Sequence, residues 1–248
     1  SEVILAVDAS LSMGWDFNMD PALEQSWDEN EERARLLYEY ANRLQSTNWL
    51  RYAAELPRLQ REDQEIIRRR EQIERDMNRP NEVDRIELAR MALGELIQSS
   101  RDDVVFGLTS FNACGAPAWH GYYTTAQRDQ LVQRIGSIQL DFSTALADTI
   151  QSLQRTVRGG QSEEAPVNVV LVSDGKDSCA GDPCAAAAAL KRAVPHLYIN
   201  MIAISRDTEE MRCVADATGG AFVQVEEAEA LAKQLVRAAG QAVPEHCQ

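Results

Sequence analysis

Apolar residues recur along this chain with two periods. Continuous or near-continuous short runs, Val3-Ile4-Leu5-Ala6-Val7, Val167–Ser173 and Tyr198–Ile204, have the pattern of strands covered on both faces. Val104–Phe111 and Trp119–Tyr123 flank a turn with Gly and Pro, Asn112–Ala118, and predict a hairpin. Ala221–Val225 predicts a short last strand. Helical spacing falls between these runs, over Arg85–Gln98, Ala126–Ile135, Ala145–Val157, Cys184–Val194 and Glu226–Ala239. The alternation predicts an α/β fold with a doubly wound, mostly parallel six-stranded sheet flanked by helices.

A different pattern fills the stretch between Gly14 and Arg85. Trp15–Asn30 is acidic and aromatic, and Glu31–Gln45 then places Ala34, Leu37, Ala41 and Leu44 at helical spacing. Ser46 or Thr47 is suited to cap a following stretch with Trp49, Tyr52, Ala53 and Leu56. Pro57 suits the first turn of a third helix, in which Leu59, Ile66 and Ile73 repeat every seven residues. Arg79-Pro80-Asn81 ends it, and Asp84 caps the next helix. The expectation is one domain over 1–248 with an all-helical insertion over 15–84. That insertion reads as a partner-binding arm, as a lid donating an acid to a neighbouring site, or as a solvated elaboration of the flank. Arg68-Arg69-Arg70 reads as an exposed helix face laced with Glu.

Candidate chemistry gathers where strands end, the edge at which such sheets bind ligands. Asp8-Ala9-Ser10-Leu11-Ser12 follows the first strand and puts one carboxylate and two hydroxyls on a tight loop. Asp174 follows Val172-Ser173 and precedes Gly175, and Asp141-Phe142-Ser143-Thr144 opens a helix on the same edge. An all-oxygen donor set suits Mg²⁺ or Ca²⁺ rather than zinc or copper.

These three loops resemble the von Willebrand factor A domain and its metal-ion-dependent adhesion site. Asp8, Ser10 and Ser12 match its D-x-S-x-S element, Thr144 in Thr144-Ala145-Leu146 matches its threonine loop, and Asp174 matches its last acid. Ser143 rivals Thr144 as the hydroxyl donor. The resemblance covers residues 1–14 and about 85–242. It implies metal ligands Asp8, Ser10, Ser12, Thr144 and Asp174, with Mg²⁺ (or Ca²⁺ or Mn²⁺) bound, and a partner protein whose Asp or Glu completes the metal shell. A scaffold whose helical insertion mediates assembly without metal is the alternative.

The five cysteines are Cys114, Cys179, Cys184, Cys213 and Cys247. Some bacterial A-domain proteins look similar, with a C-x-x-D-P-C loop after S-D-G and a further Cys before A-T-G-G. That resemblance implies two disulfides bracing the loops and an oxidising, extracytoplasmic compartment. The leading pairing is Cys114–Cys179 with Cys184–Cys213; other connectivities, a zinc site and free thiols stay open, and Cys247 is left over. Beginning at Ser1 inside a strand pattern, the chain reads as an excised or processed fragment of a larger or membrane-anchored protein.

Composition removes several classes. A net charge of −14 argues against nucleic acid, and no apolar run in the 248 residues reaches a membrane span. Phosphate-binding glycine motifs are missing, and His120, His196 and His246 share no ligand spacing. Phosphohydrolases that form an aspartyl-phosphate need a second acid where Ser10 stands, so a metal-dependent hydrolase is the weaker reading. The expectation is no enzyme.

Overall fold

Four largely apolar runs become strands buried along nearly their whole length, and two partly buried ones form the edges of the sheet. The computed structural model describes residues 1–77, 83–175, 177–204, 209–225 and 228–239. The chain divides into two units, Ser1–Phe17 with Val83–Gln248, and Asn18–Glu82.

In the first unit, β1 (Glu2–Asp8) lies between β2 (Val105–Phe111) and β4 (Val167–Ser173), parallel to both. β5 (Leu197–Ala203) and β6 (Phe222–Gln224) extend the sheet in parallel, and β3 (Ala118–Tyr123) closes the other side antiparallel to β2. The order is β3-β2-β1-β4-β5-β6. This is the expected doubly wound, mostly parallel α/β sheet. Connections from β1 and β4 leave in opposite directions, so the switch in strand order falls between their carboxyl ends, where Asp8 and Asp174 sit.

Alternation along β1 divides the core. Val3, Leu5 and Val7 pack in one apolar layer with α3 (Arg85–Ser99), α4 (Arg128–Gly136) and α8 (Ala228–Ala238). Ile4 and Ala6 point into the opposite layer with α5 (Leu146–Thr156), α6 (Pro183–Ala193) and α7 (Arg212–Thr218). Residues Val3 through Val7 have no exposed surface at all, which explains a run with no polar interruption. Where the loop after α7 crosses β5, Gly220 lies so close that a Cβ there would be 2.0 Å from the Ile199 carbonyl oxygen.

The second unit is a pair of long helices, α1 (Pro21–Thr47) and α2 (Trp49–Met77), packed on each other. Three expectations are corrected here. The first helix begins at Pro21, not Glu31, because Asp20 accepts the Ala22 N–H at 2.9 Å and Pro21 occupies the first helical position. The second and third expected helices are one. Pro57 lies inside α2 rather than starting a helix, losing one backbone hydrogen bond while the Leu59, Ile66 and Ile73 seam stays buried. The cap between α1 and α2 is Asn48, whose Oδ1 accepts the Arg51 N–H at 3.1 Å. Ser46 and Thr47 instead donate back to the Arg43 carbonyl. Asn30, buried in α1, donates to the Ile66 carbonyl at 3.1 Å. Arg70 pairs with Glu31 and lies over Trp27, while Arg68 donates to the Gln64 carbonyl. Arg79-Pro80-Asn81 lies outside the described residues.

The chain leaves and re-enters the first unit through a narrow neck. Phe17 N–H donates to the Val83 carbonyl at 3.1 Å, Arg85 N–H donates to the Trp15 carbonyl at 2.9 Å, and Asp16 and Asp84 form an antiparallel bridge. Asp84 stands at the N-cap of α3 as expected, but its carboxylate makes no capping hydrogen bond.

Candidate metal centre

Asp8 ends β1 with no exposed surface. One carboxylate oxygen accepts the Ser10 N–H at 2.8 Å, which turns the chain sharply, and the other accepts the Ser173 hydroxyl. The turn aims both loop hydroxyls along the sheet edge. Ser12 Oγ donates to Asp174 Oδ1 at 2.9 Å, and Ser10 Oγ lies 3.1 Å from Ser12 Oγ. A hydroxyl has one proton, so with Ser12 donating to Asp174, Ser10 donates to Ser12. Asp8, Ser10, Ser12 and Asp174 thus share one corner of the molecule.

Thr144 comes from the third loop. Asp141 N–H donates to the Ala9 carbonyl at 2.9 Å, which ties that loop beside the D-x-S-x-S turn. Thr144 and Ser178 then exchange two hydrogen bonds: Thr144 N–H to Ser178 Oγ at 2.7 Å, and Ser178 N–H to the Thr144 carbonyl at 3.0 Å. Thr144 is buried and Ser143 only half-buried. Phe142 between them and Asp141 is 83% exposed.

Two organising residues escape a reading of the sequence. Asp177 accepts three backbone N–H groups, from Cys179, Gly181 and Ala147, at 2.9, 3.0 and 2.8 Å. It therefore fixes the loop after Asp174 to the start of α5. Arg85, the first residue of α3, reaches Asp174 Oδ2 with Nη1 at 2.7 Å, with 3% and 0% of the two side chains exposed. Its guanidinium lies 5.7 Å from the centre of the Trp15 ring. A cation at a helix N-terminus opposes the helix dipole, and that anomaly is the one local signal of a special role.

Burial, and then the Asp174 charge, push the Asp8 carboxyl up to about 7, against the hydrogen bonds from Ser173 and Ser10. Two buried carboxylates with neutral oxygen donors beside them form a set that a hard cation fits. Among the described residues no group of three or more His, Cys, Asp and Glu is placed to hold a metal ion, so a cation at this corner would rest on two carboxylates and neighbouring hydroxyls.

Both disulfides expected on this edge are present, Cys114–Cys179 and Cys184–Cys213, with Cα atoms 5.3 and 5.4 Å apart. They leave none of these four thiols for zinc or as free groups. Cys247 lies outside the described residues.

The profile of the von Willebrand factor type A domain matches residues 82–238. The chain belongs to that family. Members commonly mediate protein interactions and are as a rule not catalytic. The D-x-S-x-S turn precedes the matched stretch, so its place in this A domain rests on the parallel pairing of β1 with β2 and β4. Solved structures share the fold. An aerotolerance-related membrane protein from Bacteroides fragilis is 14% identical with a TM-score of 0.57, covering 96% of this chain and 98% of that one. BatB from Bacteroides thetaiotaomicron is 14% identical with a TM-score of 0.56, covering 97% and 99%. Proximal thread matrix protein 1 from the mussel byssus, with a zinc-occupied MIDAS motif, is 13% identical with a TM-score of 0.54, covering 96% and 45%. No curated protein sequence matches.

Elsewhere on this A domain, among the described residues, His120 makes a serine–histidine contact that invites a catalytic reading. Its Nε2 is 2.7 Å from Ser110 Oγ, and Arg134 Nε donates to its Nδ1 at 3.0 Å. With Nδ1 accepting, Nε2 carries the proton and donates to the serine, the wrong direction for a general base. Burial, then Arg134, hold the His120 pKa below its ordinary value. No helix among the described residues is long and apolar enough to cross a membrane.

Proposed function

We propose that this A domain binds Mg²⁺, or Ca²⁺ or Mn²⁺, through Asp8, Ser10, Ser12, Thr144 and Asp174, and uses the cation to hold an Asp or Glu of a protein partner. The observation that carries this reading is the buried corner in which Ser10, Ser12 and Asp174 are linked beside Asp8. The cation supplies positive charge that a partner carboxylate can meet in a partly dried interface. Asp8 and Asp174 hold its charge, the three hydroxyls complete an oxygen set, and the exposed Phe142 offers apolar contact beside it. Two disulfides on the same edge support an oxidising, extracytoplasmic setting. Net charge of −14 disfavours nucleic acid as partner.

Isothermal titration of the wild type with Mg²⁺, Mn²⁺ and Ca²⁺, alongside Asp8→Ala, tests the reading. Saturable binding by the wild type and its loss in Asp8→Ala, with unchanged far-UV circular dichroism, is expected. Equal heats from both proteins would end it.

A second reading has its own support. Leu36, Tyr38, Trp49, Leu50 and Ile67 of the helical unit are exposed large apolar residues. Assembly through that unit, independent of metal, predicts concentration-dependent sedimentation that EDTA leaves unchanged and that Trp49→Glu with Leu50→Glu abolishes.

A further inference from the structure

We propose that Arg85 is a built-in cation that occupies the acidic corner in the metal-free protein, so that a divalent ion must displace it from Asp174. The proposal rests on the metal-binding reading above and deepens it by naming what regulates that site.

Three observations carry it. The first is accounting at the two carboxylates. Asp8 accepts from Ser10 N–H and Ser173 Oγ, and Asp174 accepts from Ser12 Oγ and Arg85 Nη1. Each of the four oxygens already has a donor, and only one of those donors carries a full charge. The second is burial. Arg85 and Asp174 have 3% and 0% of their side chains exposed. In such surroundings a guanidinium is retained only against a countercharge, and a second cation at the same carboxylate is strongly repelled. The third is placement. Arg85 opens α3, where the helix dipole disfavours a positive side chain, so the contact with Asp174 is what offsets that position.

Arg85 is also mechanically tied. Its N–H donates to the Trp15 carbonyl within the neck, and its guanidinium lies over the Trp15 ring. The residues that hold the root of the helical unit therefore also hold the cation on Asp174. Apparent metal affinity is set by the fraction of molecules with Arg85 withdrawn.

The test is Mn²⁺ titration by calorimetry, with thermal melting in EDTA and in saturating Mn²⁺, on the full chain. The proteins compared are wild type, Arg85→Met, Arg85→Lys, Arg85→Gln and Asp8→Ala. Arg85→Met is expected to bind Mn²⁺ at least tenfold more tightly than wild type, and Arg85→Lys, which keeps the charge, close to wild type. In EDTA Arg85→Met melts below wild type, and Mn²⁺ raises its melting temperature by more. Arg85→Gln, which keeps a donor for Asp174 without the charge, gives the same comparison should the methionine variant fail to fold. Equal Mn²⁺ affinity in wild type, Arg85→Gln and Arg85→Met overturns the proposal and leaves the metal site standing. No Mn²⁺ binding by any of them, with Asp8→Ala indistinguishable from wild type, removes both the proposal and the reading beneath it.

Discussion

Removing the disulfide that braces the loop after Asp174 gives a quantitative check on what holds the site's rim. Cys114 and Cys179 close a loop of 65 residues. Chain-entropy reasoning puts the loss on opening such a loop at about 4.3 kcal/mol, most of it from the freed unfolded chain. The corresponding figure for Cys184–Cys213, 29 residues apart, is about 3.6 kcal/mol. The two loops do not overlap in sequence, so their effects should add. Cys114 and Cys184 lie at the surface while Cys179 and Cys213 are half-buried against the core, so alanine at each pair adds a small packing loss to the entropic one. Guanidinium unfolding of Cys114→Ala/Cys179→Ala and of Cys184→Ala/Cys213→Ala should show midpoints lowered accordingly, with a larger m-value as the unfolded chain expands. In thermal melts a loss of about 4 kcal/mol corresponds to roughly 8–16 °C for a domain of this size. A loss under about 1 kcal/mol in either double variant would refute the entropic account. It would mean that the unfolded loops are already held close by other contacts.

Other perturbations separate the loops from the chemistry. Asp177→Ala removes the acceptor of three backbone N–H groups and should lower stability by about 3 kcal/mol, while Mn²⁺ affinity falls at least tenfold as the Asp174 loop loosens; unchanged affinity would show that the loop is held otherwise. Gly220→Ala places a Cβ against the Ile199 carbonyl and should lower stability by about 3 kcal/mol or more in urea unfolding, whereas a near-neutral result would deny the close approach. Asp8 has a raised pKa, so its contribution to metal-free stability is full below about 3.8 and is lost as pH rises through about 7. Metal needs the carboxylate, so Mn²⁺ affinity should climb with pH up to about 7 and then level off, and a flat profile from pH 5.5 to 8 would contradict the assignment.

Much of the fold is legible because burial dictates it residue by residue. Val3–Val7 is apolar throughout, and Val167–Val172 but for the half-buried Asn168, because both faces are covered, and a near-continuous run is the direct imprint of that environment. Asp8 and Asp174 are legible for a related reason: each lies at the carboxyl end of such a run, so the parallel register of β1 and β4 brings them to one edge. The cysteine pairing inferred by resemblance is the one found. Helix limits in the inserted segment were not legible. Pro57 is a strong local stop signal, yet the packing of α1 against α2 outweighs one missing backbone hydrogen bond. Arg85 was missed because its partner lies 89 residues away, and no local period records a buried ion pair.

The neck also bears on how the chain folds. β1 must find β2 across a long stretch, since Val3 pairs with Phe106. The helical pair between them turns at Asn48, the single residue separating α1 from α2, so its contacts can zip outward from that turn. Once the helices zip and Phe17 meets Val83, the intervening residues drop out of the loop that β1 has to close. Closure entropy then falls by about 0.9 kcal/mol, roughly a fivefold gain in the rate of first strand pairing. An excursion that lengthens the chain thereby acts as a splint, shortening the search of its most buried strand.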